Sequence, residues 1–349
     1  MPKCVVFGGA GVFGSIVARE LHDRAIDVIV AGRNLNRAEE VAADIGCAAV
    51  RADLNEHSSC HAAIEGVQVA INCAGPFKSF NDTLLESCVE AGCHYVDITD
   101  DREYASRVRE RRDAFAAAGL TAIYGCSSLP GISGALAIAL RKVLTTDPAH
   151  ARITLFIGND NAKGTAAVRS AARLLGRTIR APQGELRGFR DPETVDLPPP
   201  FGRRIVLNFD SPDYDLLPEQ IGASSLVVKV GLELRIATAL FGSFATYAPH
   251  LGTYLLPKLI SLNHFTRRVG CSGGAIAVEL FDKDGNKQSA SAVVAEHGQH
   301  MAALPAVYAA LRLCQGEPVS GGATTAYELL GAEELLGLLE ADGVSVLRP

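Results

Sequence analysis

Cys4-Val-Val-Phe-Gly8-Gly9-Ala10-Gly11-Val12-Phe13-Gly14-Ser15 is the stretch on which the fold turns. A β-branched run enters a knot of glycines and leaves it as a helical pattern, with Ile16, Val17, Glu20 and Leu21 at helical spacing. Gly9-x-Gly11-x-x-Gly14 fits G-x-G-x-x-G, and Gly8-x-x-Gly11-x-x-Gly14 fits a related spaced form. A glycine triplet acquires meaning only between a strand and a helix, which is where this one stands. The turn needs backbone angles open to glycine, and a pyrophosphate must approach bare main chain. The helix N-terminus then offers unpaired N–H groups and positive partial charge. Gly8, Gly9, Ala10, Gly11, Val12, Phe13 and Gly14 are therefore expected to hold the phosphates of a dinucleotide.

The end of the second apolar run bears on which dinucleotide. Asp27-Val-Ile-Val-Ala31 passes into Gly32-Arg33-Asn34 with no acid to accept hydrogen bonds from ribose hydroxyls. A carboxylate there would repel a 2′-phosphate, whereas Arg33 can form a charge-assisted fork with it and Arg37 can add a second cation. NADP(H) is the expected cofactor, with a solvated Arg33 as the alternative.

Outward from this turn, apolar runs recur at Cys4–Phe7, Asp27–Ala31, Ala48–Arg51, Val67–Cys73, His94–Ile98 and Thr121–Tyr124, separated by amphipathic helical stretches. Such alternation implies βαβ units and a parallel sheet. After Asp147-Pro148 the runs alternate apolar and polar residues, at Ile153–Ile157, Arg204–Phe209, Leu226–Glu233, Ala275–Phe281 and Ala290–Glu296. The last two flank Asp282-Lys-Asp-Gly285, a hairpin signal, so a mostly antiparallel sheet is expected. Prolines crowd Pro182 to Pro218, Pro198-Pro199-Pro200 included, and this stretch reads as irregular loop. Helical periodicity returns from Gln299 and again around Glu333–Leu339. The expected architecture is α/β: a Rossmann doubly wound parallel sheet over 1–148, an inserted α/β substrate or dimerisation domain over 149–298, and helices over 299–349 returning to the first domain.

The 349 residues carry 33 Lys+Arg against 39 Asp+Glu, a net charge of −6, with 48% hydrophobic and 21% charged residues. That balance excludes a disordered chain and argues against a nucleic-acid binder, which needs a basic surface. Nine cysteines, an odd number with no Cys-x-x-Cys, read as reduced core residues. The N-terminus enters a strand at once and shows no signal-peptide pattern. A cytoplasmic location follows as an expectation.

From Asn72-Cys-Ala-Gly-Pro-Phe77 the chain resembles the saccharopine dehydrogenase-like oxidoreductases. The likeness runs in order through the glycine turn, Ala31-Gly-Arg-Asn34, Arg51-Ala-Asp53-Leu54, Asn72–Phe77 and His94-Tyr-Val-Asp-Ile-Thr99. It continues through Leu129-Pro-Gly-Ile132 and Gly164-Thr165, covering roughly residues 1 to 175, and follows more loosely from Ala275 to about Leu313. The resemblance implies an NAD(P)-binding Rossmann domain, an inserted substrate and dimerisation domain, and a C-terminal return. It places Asp53 and the loop around Pro130 and Gly131 among the cofactor contacts, and Gly164 and Thr165 near substrate. Two departures are visible: Asp100-Asp101 stands where many lipid-side members read Gly-Glu, and the longer substrate domain of the saccharopine reductases is missing.

Loops at the carboxyl ends of parallel strands are where ligands sit. Ala74, Gly75, Pro76 and Phe77 follow the fourth run, with Gly75 allowing close approach to a ribose and Phe77 able to pack on a ring. Tyr95, Asp97 and Thr99 share one side of the fifth. Hydride transfer also needs a proton donor, and Asp97 and Tyr95 are the available titratable groups, with Thr99 and Ser128 as orienters. Asp97 reads equally as a cap for the helix from Arg102. Cys126 is the weaker nucleophile candidate.

Lys163, Arg169, Arg173, Arg177 and Arg180 repeat at near-helical spacing. They offer a face for an anionic substrate, with Thr165 as helix cap and Arg169 as contact, or a solvated or dimer surface. His57 and His61 stand four apart without a third ligand, so no metal is expected. From Ile236 to Pro257 there are 22 residues without a formal charge, interrupted by Gly242, Pro249 and Gly252. A helix broken near Pro249 is expected there, serving as core, dimer interface or weak lipid contact, with no transmembrane span. Together these features point to an NADPH-dependent oxidoreductase acting on a C=N or C=O group of a small anionic metabolite, most simply as a homodimer. The alternatives are an enoyl C=C reductase for an acyl or polyketide chain, and a non-catalytic NADP(H)-binding sensor or lipid-associated protein.

Overall fold

The computed structural model describes residues 2–162, 164–262, 270–316 and 321–349. Its elements run β1 (Lys3–Phe7), α1 (Val12–Asp23), β2 (Asp27–Gly32), α2 (Leu35–Ile45), β3 (Ala48–Arg51), α3 (His57–Ile64), β4 (Val69–Asn72), α4 (Thr83–Ala91) and β5 (His94–Asp97). Next come α5 (Arg102–Glu110), α6 (Arg112–Ala117), β6 (Thr121–Tyr124), α7 (Ser133–Lys142), β7 (His150–Ile157), α8 (Thr165–Arg173), β8 (Thr178–Ala181), β9 (Gly184–Arg187), β10 (Glu193–Leu197) and β11 (Gly202–Asn208). The chain closes with α9 (Asp213–Ile221), β12 (Leu226–Leu232), α10 (Arg235–Tyr247), α11 (Pro249–Leu262), β13 (Gly274–Phe281), β14 (Lys287–Val294), α12 (Gly298–Cys314), β15 (Gly322–Thr325), α13 (Ala326–Leu330), α14 (Ala332–Ala341) and β16 (Ser345–Leu347).

Two compact units share these elements: Met1–Ser127 with Ala303–Gly331, and Ser128–Ala302 with Ala332–Pro349. In the first, the described strands form one parallel sheet in the order β15-β6-β5-β4-β1-β2-β3. The order reverses between β1 and β4, the doubly wound arrangement whose switch point opens a ligand crevice at the strands' carboxyl ends. β4, buried along its whole length, reads Val69-Ala-Ile-Asn72, as a strand covered by helices on both faces must. β15 was not foreseen; it extends the sheet beside β6, with Ala323 opposite Ala122.

The second unit is a mixed sheet, β10-β11-β12-β7-β13-β14-β16, in which only the β12–β7 pair is parallel among the described strands. Period-two alternation is visible in β10, where Val195 and Leu197 are buried and Thr194 and Asp196 exposed, whereas β13 is buried on both faces. α7 packs on β13, β14 and α14, so the division falls at Ser127–Ser128, earlier than residue 148. The C-terminal stretch likewise divides, β15 joining the parallel sheet and β16 the mixed one. The proline-rich stretch corrects the loop reading: β9, β10 and β11 lie between Pro182, Pro192, the Pro198–Pro200 run and Pro212. The uncharged stretch breaks at Ala248, whose φ of −151° and ψ of 59° end α10 before Pro249 begins α11.

Candidate functional site

The glycine turn is built by contacts that leave no room for side chains. Gly8 has φ +71° and lies so close to the turn after β4 that a Cβ would sit 2.7 Å from the Cα and N of Ala74. At Gly14 a Cβ would fall 2.2 Å from the carbonyl oxygen of Gly8. Gly9 N donates to Val6 O at 3.1 Å and to Ala31 O at 3.2 Å, tying the turn to the end of β2. The N-cap of α1 is Gly11, no side chain caps the helix, and its first turn carries no acid. Its leading amides are left for a ligand, and the bare turn at the switch point fits a dinucleotide diphosphate.

Arg33 and Arg37 follow β2, both exposed, with no ion-pair partner among the described residues. Asn34 lies between them as the N-cap of α2, its Oδ1 accepting from Arg37 N at 3.2 Å. Asp53 closes the next turn: its Oδ1 accepts from Asn55 N at 3.1 Å, and its N–H donates to Ser59 Oγ at 2.9 Å. Across the switch point, Ala74 N donates to Asn72 Oδ1 at 3.1 Å. Gly75 and Pro76 follow, and the Phe77 ring is buried with its centroid 5.1 Å from that of Tyr104. Phe77 thus packs on a tyrosine of its own unit.

Asp97 ends β5 with no exposed surface. Its Oδ1 accepts from Thr99 N and Gly125 N, each at 2.9 Å, while Oδ2 is buried without a hydrogen-bond partner among the described residues. Desolvation raises its pKa from 3.8 to about 7 against the lowering pull of those two amides and the Tyr95 phenol. An orphaned carboxyl with a raised pKa at the carboxyl end of a central strand is a functional-site signature. Thr99 is buried too, and its Oγ1 accepts from Asp101 N at 3.1 Å. The cap of α5 is Asp101, which takes Tyr104 N at 2.9 Å, so the capping role weighed for Asp97 falls to Asp101.

Two residues given no role by sequence complete this network. Tyr95 OH and Tyr104 OH stand 2.9 Å apart, and Asn72 Nδ2 reaches each at 3.3 Å. Burial pushes both phenols well above their usual range. Tyr104, Ala105 and Val108 mark the buried face of α5, the one pattern that could have announced the tyrosine. Burial, with Asp97 as a second cause, also pushes up the Cys73 and Cys126 thiols, so Cys126 is a poor nucleophile.

Ser128, Pro130, Gly131, Gly164, Thr165 and Arg169 all belong to the second unit. Ser128, Pro130 and Gly131 are buried, and Arg169 is exposed on α8. Gly164 is the N-cap of α8, so Thr165 is its first residue and not the expected cap. The basic series is not one helical face: α8 ends at Arg173, Arg177 lies in the following turn and Arg180 in β8, while Lys163 lies outside the described residues. This unit has its own buried carboxyl, Asp213, which Ser133 Oγ approaches at 2.6 Å and to which Ser211 Oγ also donates. Burial raises its pKa to about 6.

Comparison with known proteins agrees with this geometry. Residues 5–123 match the family described as saccharopine dehydrogenase NADP binding domain. A carboxyaminopropylagmatine dehydrogenase of Synechocystis sp. is 31% identical over 149 residues, 38% of this chain and 36% of that protein. A probable mitochondrial saccharopine dehydrogenase-like oxidoreductase of Arabidopsis thaliana is 26% identical over 175 residues, 45% of this chain and 38% of that one. The matches thus span little more than a third of these relatives. Saccharopine dehydrogenase (L-Glu forming) from Saccharomyces cerevisiae shares the fold, with a TM-score of 0.68 at 10% identity over 99% of this chain and 100% of that one. Residues 5–123 thus match an NADP-binding domain of the saccharopine dehydrogenase type, and the whole chain has the fold of saccharopine dehydrogenase.

Proposed function

We propose that the chain is an NADPH-preferring oxidoreductase that reduces a C=N or C=O group on a small anionic metabolite. The observation that carries this reading is the pairing of an uncapped α1 behind a side-chain-free turn with two exposed arginines, and no acid, at the end of β2. The backbone amides from Gly9 to Gly14 bind the diphosphate, and Arg33 and Arg37 select the 2′-phosphate. When bound, the nicotinamide supplies the hydride. Asp97 holds a proton at Oδ2 in a site closed to water, and the Asn72–Tyr95–Tyr104 network fixes the polarity of its surroundings. That two relatives are a dehydrogenase and an oxidoreductase by name supports the reaction class. Exposed Arg169, Arg173 and Arg177 favour an anionic substrate.

Fluorescence titration of the unmutated chain with NADPH and NADH tests the cofactor preference. NADPH is expected to bind tighter, and Arg33→Ala to weaken NADPH roughly 10-fold or more while leaving NADH within a few fold, the loss of a charge-assisted fork. Equal or tighter NADH binding by the unmutated protein would refute the preference. Steady NADPH oxidation with amino acid plus keto acid mixtures, and none with enoyl thioesters, is the outcome expected of the C=N reading. The reverse pattern would replace it with C=C reduction.

A further inference from the structure

α10 and α11 carry large apolar side chains on the side that faces water, beside exposed Ser243, Thr246 and His250, as well as on the side that packs. Inward, Thr238, Phe241, Ala245, Gly252 and Leu256 are buried. Phe241 meets the Phe189 ring at 4.9 Å, and a Cβ on Gly252 would lie 2.6 Å from Phe244 Cβ. Arg190 secures the end of α10 by donating to Ala245 O at 3.1 Å and Thr246 O at 3.2 Å. The pair is therefore a fixed part of the second unit. Outward, Ile236, Leu240 and Tyr247 on α10 and Leu251 and Tyr254 on α11 are 76%, 42%, 86%, 52% and 63% exposed. Their spacing of three or four residues and its multiples puts them on one stripe per helix. A helix apolar on both faces has a second apolar partner.

The surrounding charge says which. From Leu234 to Val278 the sequence has no Asp or Glu over 45 residues, in a chain whose net charge is −6. The stripe is framed by exposed Arg235 at the start of α10 and Lys258 on α11, with Lys258 Nζ 3.7 Å from the centre of the Tyr254 ring. A second copy meeting this face would bring Arg235 and Lys258 toward their own counterparts, and the 234–278 stretch itself offers them no carboxylate. Phosphate headgroups over acyl chains satisfy both the cations and the apolar stripe, with the two tyrosines at the polar boundary.

We propose that the outer faces of α10 and α11 form an in-plane docking surface for an anionic phospholipid bilayer. No helix among the described residues is long and apolar enough to cross a membrane, so the pair lies in the interface. Ile236, Leu240, Leu251 and Tyr254 enter the headgroup–acyl boundary, while Arg235 and Lys258 meet the phosphates. The surface lies wholly in the second unit and does not depend on the cofactor assignment.

Flotation of the full chain with vesicles decides it. The chain is expected to float with phosphatidylcholine vesicles containing phosphatidylglycerol, much less with phosphatidylcholine alone, and less as salt rises. The double variant Leu240→Glu, Leu251→Glu should weaken binding by at least about 10-fold, and Lys258→Ala by roughly 5-fold. Both replace exposed side chains, so their melting curves by circular dichroism should match the unmutated protein. Failure to float with the anionic vesicles would overturn the proposal, as would unchanged flotation of the double variant. A dimer in sedimentation velocity that the double variant splits would assign the face to a second copy instead.

Discussion

Asp97 is the carboxyl group proposed to handle the proton in the parallel-sheet unit, and its pH behaviour is open to measurement. Below about pH 4 the group is protonated in both folded and unfolded chains. Between there and about 7 the unfolded chain gives up its proton while the folded chain keeps it, so the native state loses stability as pH rises. Asp97→Asn retains a neutral acceptor for the Thr99 and Gly125 amides and carries no titrating proton. Its unfolding free energy, measured by urea titration, should therefore gain on the unmutated protein from about pH 4 to 7, by a few kcal/mol in all, and level off above. A pH-independent gap would show that burial does not shift this group. If Asp97 also supplies the proton, kcat/KM for reduction should fall through about pH 7, and the variant should lack that limb. At this scale, legibility followed backbone necessity. Gly8 and Gly14 were readable because no other residue fits where a Cβ would strike main chain. Asn72 and Tyr104 were not, because an amide and a phenol become a network only once β4, β5 and α5 are packed.

Elements were legible where one interaction dominated. Six of the seven strands of the doubly wound sheet, β1 to β6, coincide with the apolar runs to within two residues, since burial on both faces of the central strands forbids alternation. β9 and β10 escaped because they are short and polar, with the prolines standing at their flanks and not within them. The basic series misled for the converse reason: four-residue spacing persists past Arg173, where α8 has ended. α2 is the element on which the proposed cofactor preference rests. Asn34 caps it through Arg37 N, and the two cations expected to take the 2′-phosphate flank that cap. Asn34→Ala should cost about 1 kcal/mol of stability through the lost cap. It should also weaken NADPH a few fold, with NADH little changed, because frayed residues hold Arg33 and Arg37 less firmly. Equal weakening of both nucleotides would mean that Asn34 touches the shared part of the cofactor.

For the molecule as a whole, the telling feature is that the nucleotide-binding unit is completed by residues far beyond it in sequence. The chain leaves after Ser127, builds the second unit and returns at Ala303. That return supplies β15 beside β6, a hydrogen bond from Gln68 Nε2 to Leu313 O at 3.0 Å, and Cys314, whose Sγ lies 3.4 Å from that of Cys4 on β1. It also supplies the buried Leu304, Val307, Leu313, Tyr327 and Leu330. At roughly 1.5–3 kcal/mol per large apolar side chain, these five contribute on the order of 10 kcal/mol, comparable to the whole stability of an ordinary domain. A chain stopped at Ala302 should therefore fail to bind NADPH, even though the glycine turn, Arg33 and Asp97 are all present. A chain stopped at Gly331 loses only α14 and β16, which belong to the second unit, and should bind NADPH within a few fold of full length while its second unit exchanges amide hydrogens faster. Tight NADPH binding by the shorter chain would show that the first 127 residues fold without the returning segment, and that β15 and its neighbours are an addition to a sheet already complete.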